Sequence, residues 1–148
     1  MEFELDKSQK EIQKAVRDFC RGQFDKETIL EGIGKREFPA ITWKKASKLG
    51  FSCIHIPERF GGSGMGLAEY VLAAEEMCRK DSSAGMALML AGLGCECIFR
   101  FGEDQLAQKY LPLVTAGKIR AAAALFEPGA FQDISAPGTT ARAESGSL

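Results

Sequence analysis

The sequence is poor in the residues that most metal-dependent and charge-driven functions need. Its 148 residues include one histidine, His55, one tryptophan and two tyrosines. Five cysteines (Cys20, Cys53, Cys78, Cys95, Cys97) make no CxxC and no Cys/His alternation, so no zinc-ligand spacing is present. Their odd number and irregular spacing predict reduced thiols in a cytoplasmic compartment. No charge of one sign dominates: 19 basic residues stand against 20 acidic ones, which leaves no footprint for nucleic acid or an anionic membrane. No long hydrophobic run exists either. The least polar stretch, Ala84 to Cys95, has about 12 residues where a membrane span needs about 20. The first residues, Met1 to Asp6, are acidic and lack an apolar core, so no signal peptide is expected. What is present is ordinary for one globular domain: 45% hydrophobic and 26% charged residues, enough apolar material to exclude disorder as the main state. No internal repeat interrupts it.

Periodicity makes the chain a succession of helices. Asp6 and Gln9 form a capping-box pattern ahead of Ile12, Val16, Phe19 and Cys20, which predicts an amphipathic helix from residue 7 to about residue 22. Gly22, Gly32 and Gly34 predict a short helical turn and a loop next. Pro39 and Gly50 bracket a second helix. Residues 51–60 read as an extended connection with Ile54 and Ile56 turned inward. The Gly61–Gly66 run matches neither GxGxxG nor GxxxxGK[ST], and no strand precedes it, so an entry turn is the plainer reading than a phosphate loop. Leu67, Tyr70, Val71, Ala74, Met77 and Cys78 then mark one face of a helix. Asp81 is a candidate N-cap for a central helix from Ser82 to about Phe101, apolar on nearly every face. Glu103 to Val114 gives a last helix, bent near Pro112 and closed by Gly117. From Ile119 to Phe126 the apolar run fits a helix or a buried strand equally. Thr139–Glu144 alternates like a strand. Residues 119–148 therefore look like the start of a sheet, because an isolated pair of strands is marginal.

Phe38-Pro39, Trp43-Lys-Lys45, Leu49-Gly50, Ile56-Pro57-Glu58, Phe60-Gly-Gly-Ser-Gly-Met-Gly66, Ala74-Glu-Glu76, Asp81, Leu93-Gly94, Phe101-Gly102, Lys109-Tyr-Leu-Pro112, Gly117 and Glu127-Pro-Gly-Ala130 occur in that order. In this collinear set the chain resembles the N-terminal part of an acyl-CoA dehydrogenase along essentially its whole length. The resemblance implies a mainly α fold: an acyl-CoA dehydrogenase-like N-terminal helical bundle over residues 1–118, followed by the first strands of a β middle domain over 119–148. It implies an FAD-dependent oxidoreductase, a flavoprotein performing α,β-dehydrogenation of an acyl-CoA thioester. Electron-transfer flavoprotein is the implied acceptor, and a homo- or hetero-oligomer the implied assembly. The family's catalytic glutamate lies in a C-terminal domain outside these residues. No catalytic residue is therefore assigned here, and the chain alone is expected to be inactive. Glu69, Glu75, Glu76 and Glu96 are read as solvated or paired helix faces.

The family's flavin loop reads Thr-Glu-Pro-Gly-x-Gly-Ser-Asp, where residues 126–133 read Phe-Glu-Pro-Gly-Ala-Phe-Gln-Asp. The implied cofactor-binding positions are Leu125, Phe126, Phe131 and Gln132. Main-chain contacts at Leu125 and Phe126 survive the differences, since each keeps its N–H and C=O. Phe126 has no hydroxyl to offer, and Phe131 puts bulk where a glycine would let backbone approach the cofactor. Gln132 can donate from its amide. The implied acyl-lining positions are Gly85, Met86, Met89, Leu90 and Leu93, with Met86, Met89 and Leu93 spaced as one stripe. No charge lies on that stripe, which suits an apolar or aromatic acyl group. The alternative to core packing for these methionines is thus an adaptable pocket wall.

Other readings remain. A non-catalytic partner subunit with a degenerate flavin site is favoured by the residues at 126, 131 and 132. A purely helical interaction module does not need the β-like tail. Thiol catalysis by a cysteine with His55 has nothing in the sequence to bring the two together.

Overall fold

The computed structural model describes residues 4–128, 135 and 137–142. Its helices are α1 (Lys7–Gln23), α2 (Lys26–Lys35), α3 (Ala40–Lys48), α4 (Leu67–Lys80), α5 (Ser82–Leu90), α6 (Leu93–Phe101) and α7 (Asp104–Thr115). The predicted capping box opens α1: Asp6 accepts from the Gln9 amide at 2.8 Å, and Gln9 Oε1 accepts from the Asp6 amide at 3.2 Å. Asp25 caps α2 in the same way, with the Thr28 amide donating to its carboxylate at 2.9 Å. That cap is why ten residues hold a helix where the glycines predicted only a turn and a loop. Gly32 and Gly34 are tolerated inside it at some cost in propensity.

Two apolar centres hold the bundle. The larger one joins α1, α3, α4 and α5 through Val16, Cys20, Phe24, Trp43, Ala73, Met77, Leu88 and Met89. The smaller one joins residues 51–60 to α6 and α7 through Cys53, Ile56, Phe60, Cys95, Leu111 and Val114. Ile54 and Ile56 are buried as expected, but residues 51–60 are not extended. Phe51–Cys53 and Glu58–Phe60 are 3₁₀ turns, which bring more of this short connection into the core. The glycine run is an entry turn. Gly61 and Gly64 take φ of +81° and +63°, and the Gly64 and Met65 amides donate back to the Ile56 and Ile54 carbonyls at 2.9 and 3.0 Å.

The face of α4 is rotated from the predicted one. Ala73, Glu76 and Met77 are buried, whereas Leu67 and Val71 are exposed. The buried glutamate explains the rotation, because Arg17 of α1 neutralises it and so a charge can occupy the helix contact.

The predicted single helix from Ser82 to Phe101 is two helices, separated at Ala91–Gly92. By composition the run is apolar enough to cross a membrane, but each nine-residue half is only about 13.5 Å long at 1.5 Å per residue. Neither half reaches across a hydrocarbon core about 30 Å thick. After α7, Gly117 (φ +66°) turns the chain back over α6. No strand occurs among the described residues: 120–127 and 139–142 have neither helix nor ladder, because no ladder partner is among them. Residues 143 and 144 of the predicted strand lie outside the described residues.

Candidate functional site

The break between α5 and α6 organises the surface around it. With Ala91 and Gly92 out of the helical ladder, the Ala91 carbonyl is free to accept from the Ala121 amide at 2.9 Å. The Gly94 amide reaches the Ala121 carbonyl at 3.4 Å. Small residues are needed for this approach. A Cβ on Gly94 would stand 2.7 Å from the Ala122 oxygen, and one on Gly92 would stand 2.7 Å from the Ser52 oxygen. The segment after Gly117 is thus clipped across the first turn of α6. A cavity of about 540 Å³ lies beneath it, lined by Gly94, Ile98, Tyr110 and the chain from Ile119 to Leu125.

The five predicted acyl-lining residues divide between two directions. Gly85 packs on α4 so closely that a Cβ there would lie 2.7 Å from the Cys78 nitrogen. Met89 is 3% exposed and belongs to the larger core. Met86 and Leu90 are 49% and 46% exposed, and Leu93, across the break, is half-buried. Met86 and Leu90 are one turn apart, whereas Met89 lies about 60° round the helix from Met86, far enough to fall on the buried side. Leu67 and Val71, one turn apart on the neighbouring α4, are also exposed. Four apolar side chains, Leu67, Val71, Met86 and Leu90, are thus exposed on α4 and α5.

Of the predicted cofactor positions, Leu125 and Phe126 are 45% and 67% exposed on the stretch that follows the clip. Phe131 and Gln132 lie outside the described residues. Sequence reasoning missed a clasp beside them. Glu127 accepts from the Gly138 amide at 2.6 Å and from the Thr139 amide at 3.1 Å. A hydrogen bond from the Thr139 side chain foremost, and the Gly138 amide after it, hold its carboxyl below the usual range. The glutamate at the head of a Pro-Gly loop was the available signal, since a carboxylate there can close a loop on backbone donors.

Each glutamate set aside as a base has a partner. Glu69 accepts from Gln9 at 2.9 Å, and Glu75 pairs with Arg79 at 2.9 Å. Glu76, with its side chain 1% exposed, takes a two-pronged bond from Arg17 at 3.0 and 2.9 Å. That bond foremost keeps its carboxyl below the usual range. Glu96 pairs with Arg100 and stands 3.1 Å from His55 Nε2. Burial is the main cause that lowers the His55 pKa, with the Glu96 charge opposing it. No group of three or more metal-ligating side chains occurs among the described residues.

This helical bundle has counterparts in sequence and in fold among known proteins. The family model described as acyl-CoA dehydrogenase, N-terminal domain, matches residues 6–118, and the chain belongs to that family. Acryloyl-CoA reductase (NADH) from Anaerotignum propionicum is 34% identical over 146 residues, 98% of this chain and 36% of the relative. The caffeyl-CoA reductase–Etf complex subunit CarC from Acetobacterium woodii is 35% identical over 133 residues, 89% of this chain and 35% of the relative. Among solved structures, the acyl-CoA dehydrogenase complexed with FAD from Bacillus anthracis superimposes with a TM-score of 0.74 at 31% identity. That match covers 89% of this chain and 22% of that one. The chain spans about a third of the length of the curated relatives it matches.

Proposed function

We propose that this chain is the N-terminal part of a cytoplasmic, FAD-dependent acyl-CoA dehydrogenase that forms one wall of the acyl pocket. In this reading residues 119–148 begin a β middle domain, and the α,β-dehydrogenation needs a base from outside the chain. The observation that carries it is the exposed apolar pair Met86 and Leu90, with half-buried Leu93 across the break where the clipped segment is bonded. An acyl chain laid on these residues buries apolar surface at about 25 cal/mol per Å². The methionine lets the wall adapt to the acyl group. Gly85 and Met89 act behind the wall, setting how close α5 sits to α4.

For the cofactor, the exposed residues Leu125 and Phe126 would offer main-chain groups to the edge of a flavin ring, and Glu127 closes on the backbone of the loop that follows. When bound, FAD supplies the acceptor for the substrate β-hydride. Electron-transfer flavoprotein is the proposed onward acceptor, supported by the relative named as an Etf-complex subunit. A homo- or hetero-oligomer is the proposed assembly.

The wall is tested in the intact gene product with Met86→Asp and Leu90→Asp. We expect KM for an apolar acyl-CoA to rise at least about tenfold, the equivalent of 1.4 kcal/mol, with flavin content unchanged. An unchanged KM contradicts the wall. A second reading rests on Phe126, which stands where the family's loop has a threonine: a support subunit without its own flavin. Its mark is a colourless protein that takes up no FAD alone and gains flavin only with an active homologue.

A further inference from the structure

We propose that Cys53 and Cys95 are a paired oxidation site that closes to a disulfide when the protein meets a peroxide. Their sulfur atoms stand 4.0 Å apart, both buried, in the smaller apolar centre. Cys53 ends the 3₁₀ turn Phe51–Cys53, and Cys95 is in the first turn of α6, so the bond would join two elements 42 residues apart in sequence. The approach is held from a third side. Gly92 lies against Ser52 and Cys53, and a Cβ there would stand 3.3 Å from the Cys53 sulfur. Closing from 4.0 Å to a bond of about 2.05 Å needs side-chain rotation and a small shift of the 3₁₀ turn.

The two thiols have unequal roles. The two sulfurs share one S–H···S contact in which either can donate; with Cys53 as donor, the contact lowers the Cys95 pKa, and the contact and burial together raise that of Cys53. The N-terminal turn of α6 further favours a thiolate at Cys95. Cys95 is assigned the attacking role by its place in that turn. Its thiolate attacks one peroxide oxygen, the O–O bond breaks, and the departing hydroxide takes a proton to become water. The resulting sulfenic acid is attacked by Cys53: the S–S bond forms, the S–O bond breaks, and hydroxide leaves with the Cys53 proton as a second water. Two thiols are oxidised and one hydrogen peroxide is reduced to two waters. Cys20 is buried in the larger centre, where burial pushes its pKa up to about 11.

The inference does not depend on the dehydrogenase reading. The test is to treat the folded, reduced gene product with hydrogen peroxide, then denature, alkylate and map its peptides. The expected result is a Cys53–Cys95 linked peptide, the loss of two alkylatable thiols per chain, and reversal by dithiothreitol. The unfolding midpoint of the oxidised protein should rise by several degrees, because the link restricts the unfolded chain. Oxidation confined to the less buried Cys78 or Cys97, or a linked peptide that forms only after denaturation, overturns the proposal. Because wild-type protein gives the decisive map, no cysteine variant has to fold.

Discussion

At the scale of single residues, a buried carboxylate decides how α1 meets α4. Glu76 is held by Arg17 and also lies 3.7 Å from Arg79, so its charge is compensated from two helices. Arg17→Ala leaves a buried charge with only the more distant partner and should lower unfolding stability by roughly 2–3 kcal/mol, measured by denaturant titration. The pH dependence has a definite sign. A carboxyl whose folded pKa is depressed adds stability above its unfolded pKa, near 4.3, and loses it as pH falls toward the folded value. The penalty of Arg17→Ala should therefore shrink as the acid range is entered. His55 follows the same direction in another window. Its pKa is lowered by burial, so its contribution is present above about 6.5 and lost as pH falls below that. His55→Gln should flatten the stability curve between neutral pH and about pH 5, while an unchanged slope contradicts this account of the histidine.

At the scale of elements, the break at Ala91–Gly92 is the feature that matters most. It turns one apolar run into two helices and frees the Ala91 carbonyl for the segment after α7. Gly94→Val should drive that segment off α6, seen as faster hydrogen exchange at the Ala121 amide with the α1–α4 contact unchanged. Retained protection at Ala121 would mean that the clip does not need the glycine. The same element shows where sequence reading succeeds and fails. Local signals with a single outcome were legible: the Asp6 and Asp81 caps, the left-handed Gly50 and Gly117, and the inward Ile54 and Ile56. Signals that tertiary partners settle were not. The 82–101 run shows no breaker stronger than Gly92, and its interruption depends on Ser52, Cys53 and Ala121, all distant in sequence. The α4 face was misread because Glu76 is polar in sequence and buried in the fold. The acyl stripe was half legible, since spacing grouped Met86 with Met89 and only the α4 contact separates them. The capped α2 was hidden because Asp25 outweighs two glycines.

At the scale of the whole molecule, the bundle keeps a good deal of apolar surface in the open. Leu67, Val71, Met86 and Leu90 on α4 and α5, and Phe101 at the end of α6, are all exposed. Large exposed apolar patches mark interaction sites or aggregation liabilities. The 148 residues produced alone should therefore bind a hydrophobic dye and self-associate, and Val71→Lys with Leu90→Lys should reduce both. A dye-silent monomer would show that the surface needs no cover. The chain spans about a third of its curated relatives, so an intact enzyme of this family has further chain to lay over such a face. The central claim is that this face serves a flavin-dependent oxidation of an acyl thioester. The most direct test is the visible spectrum of the purified intact gene product, recorded without oxygen before and after an acyl-CoA is added. The account predicts a flavin band that bleaches on addition, with one enoyl thioester formed for each flavin reduced. A protein that holds flavin but neither bleaches nor forms enoyl product with any acyl-CoA, or one that cannot be loaded with FAD at all, would contradict it.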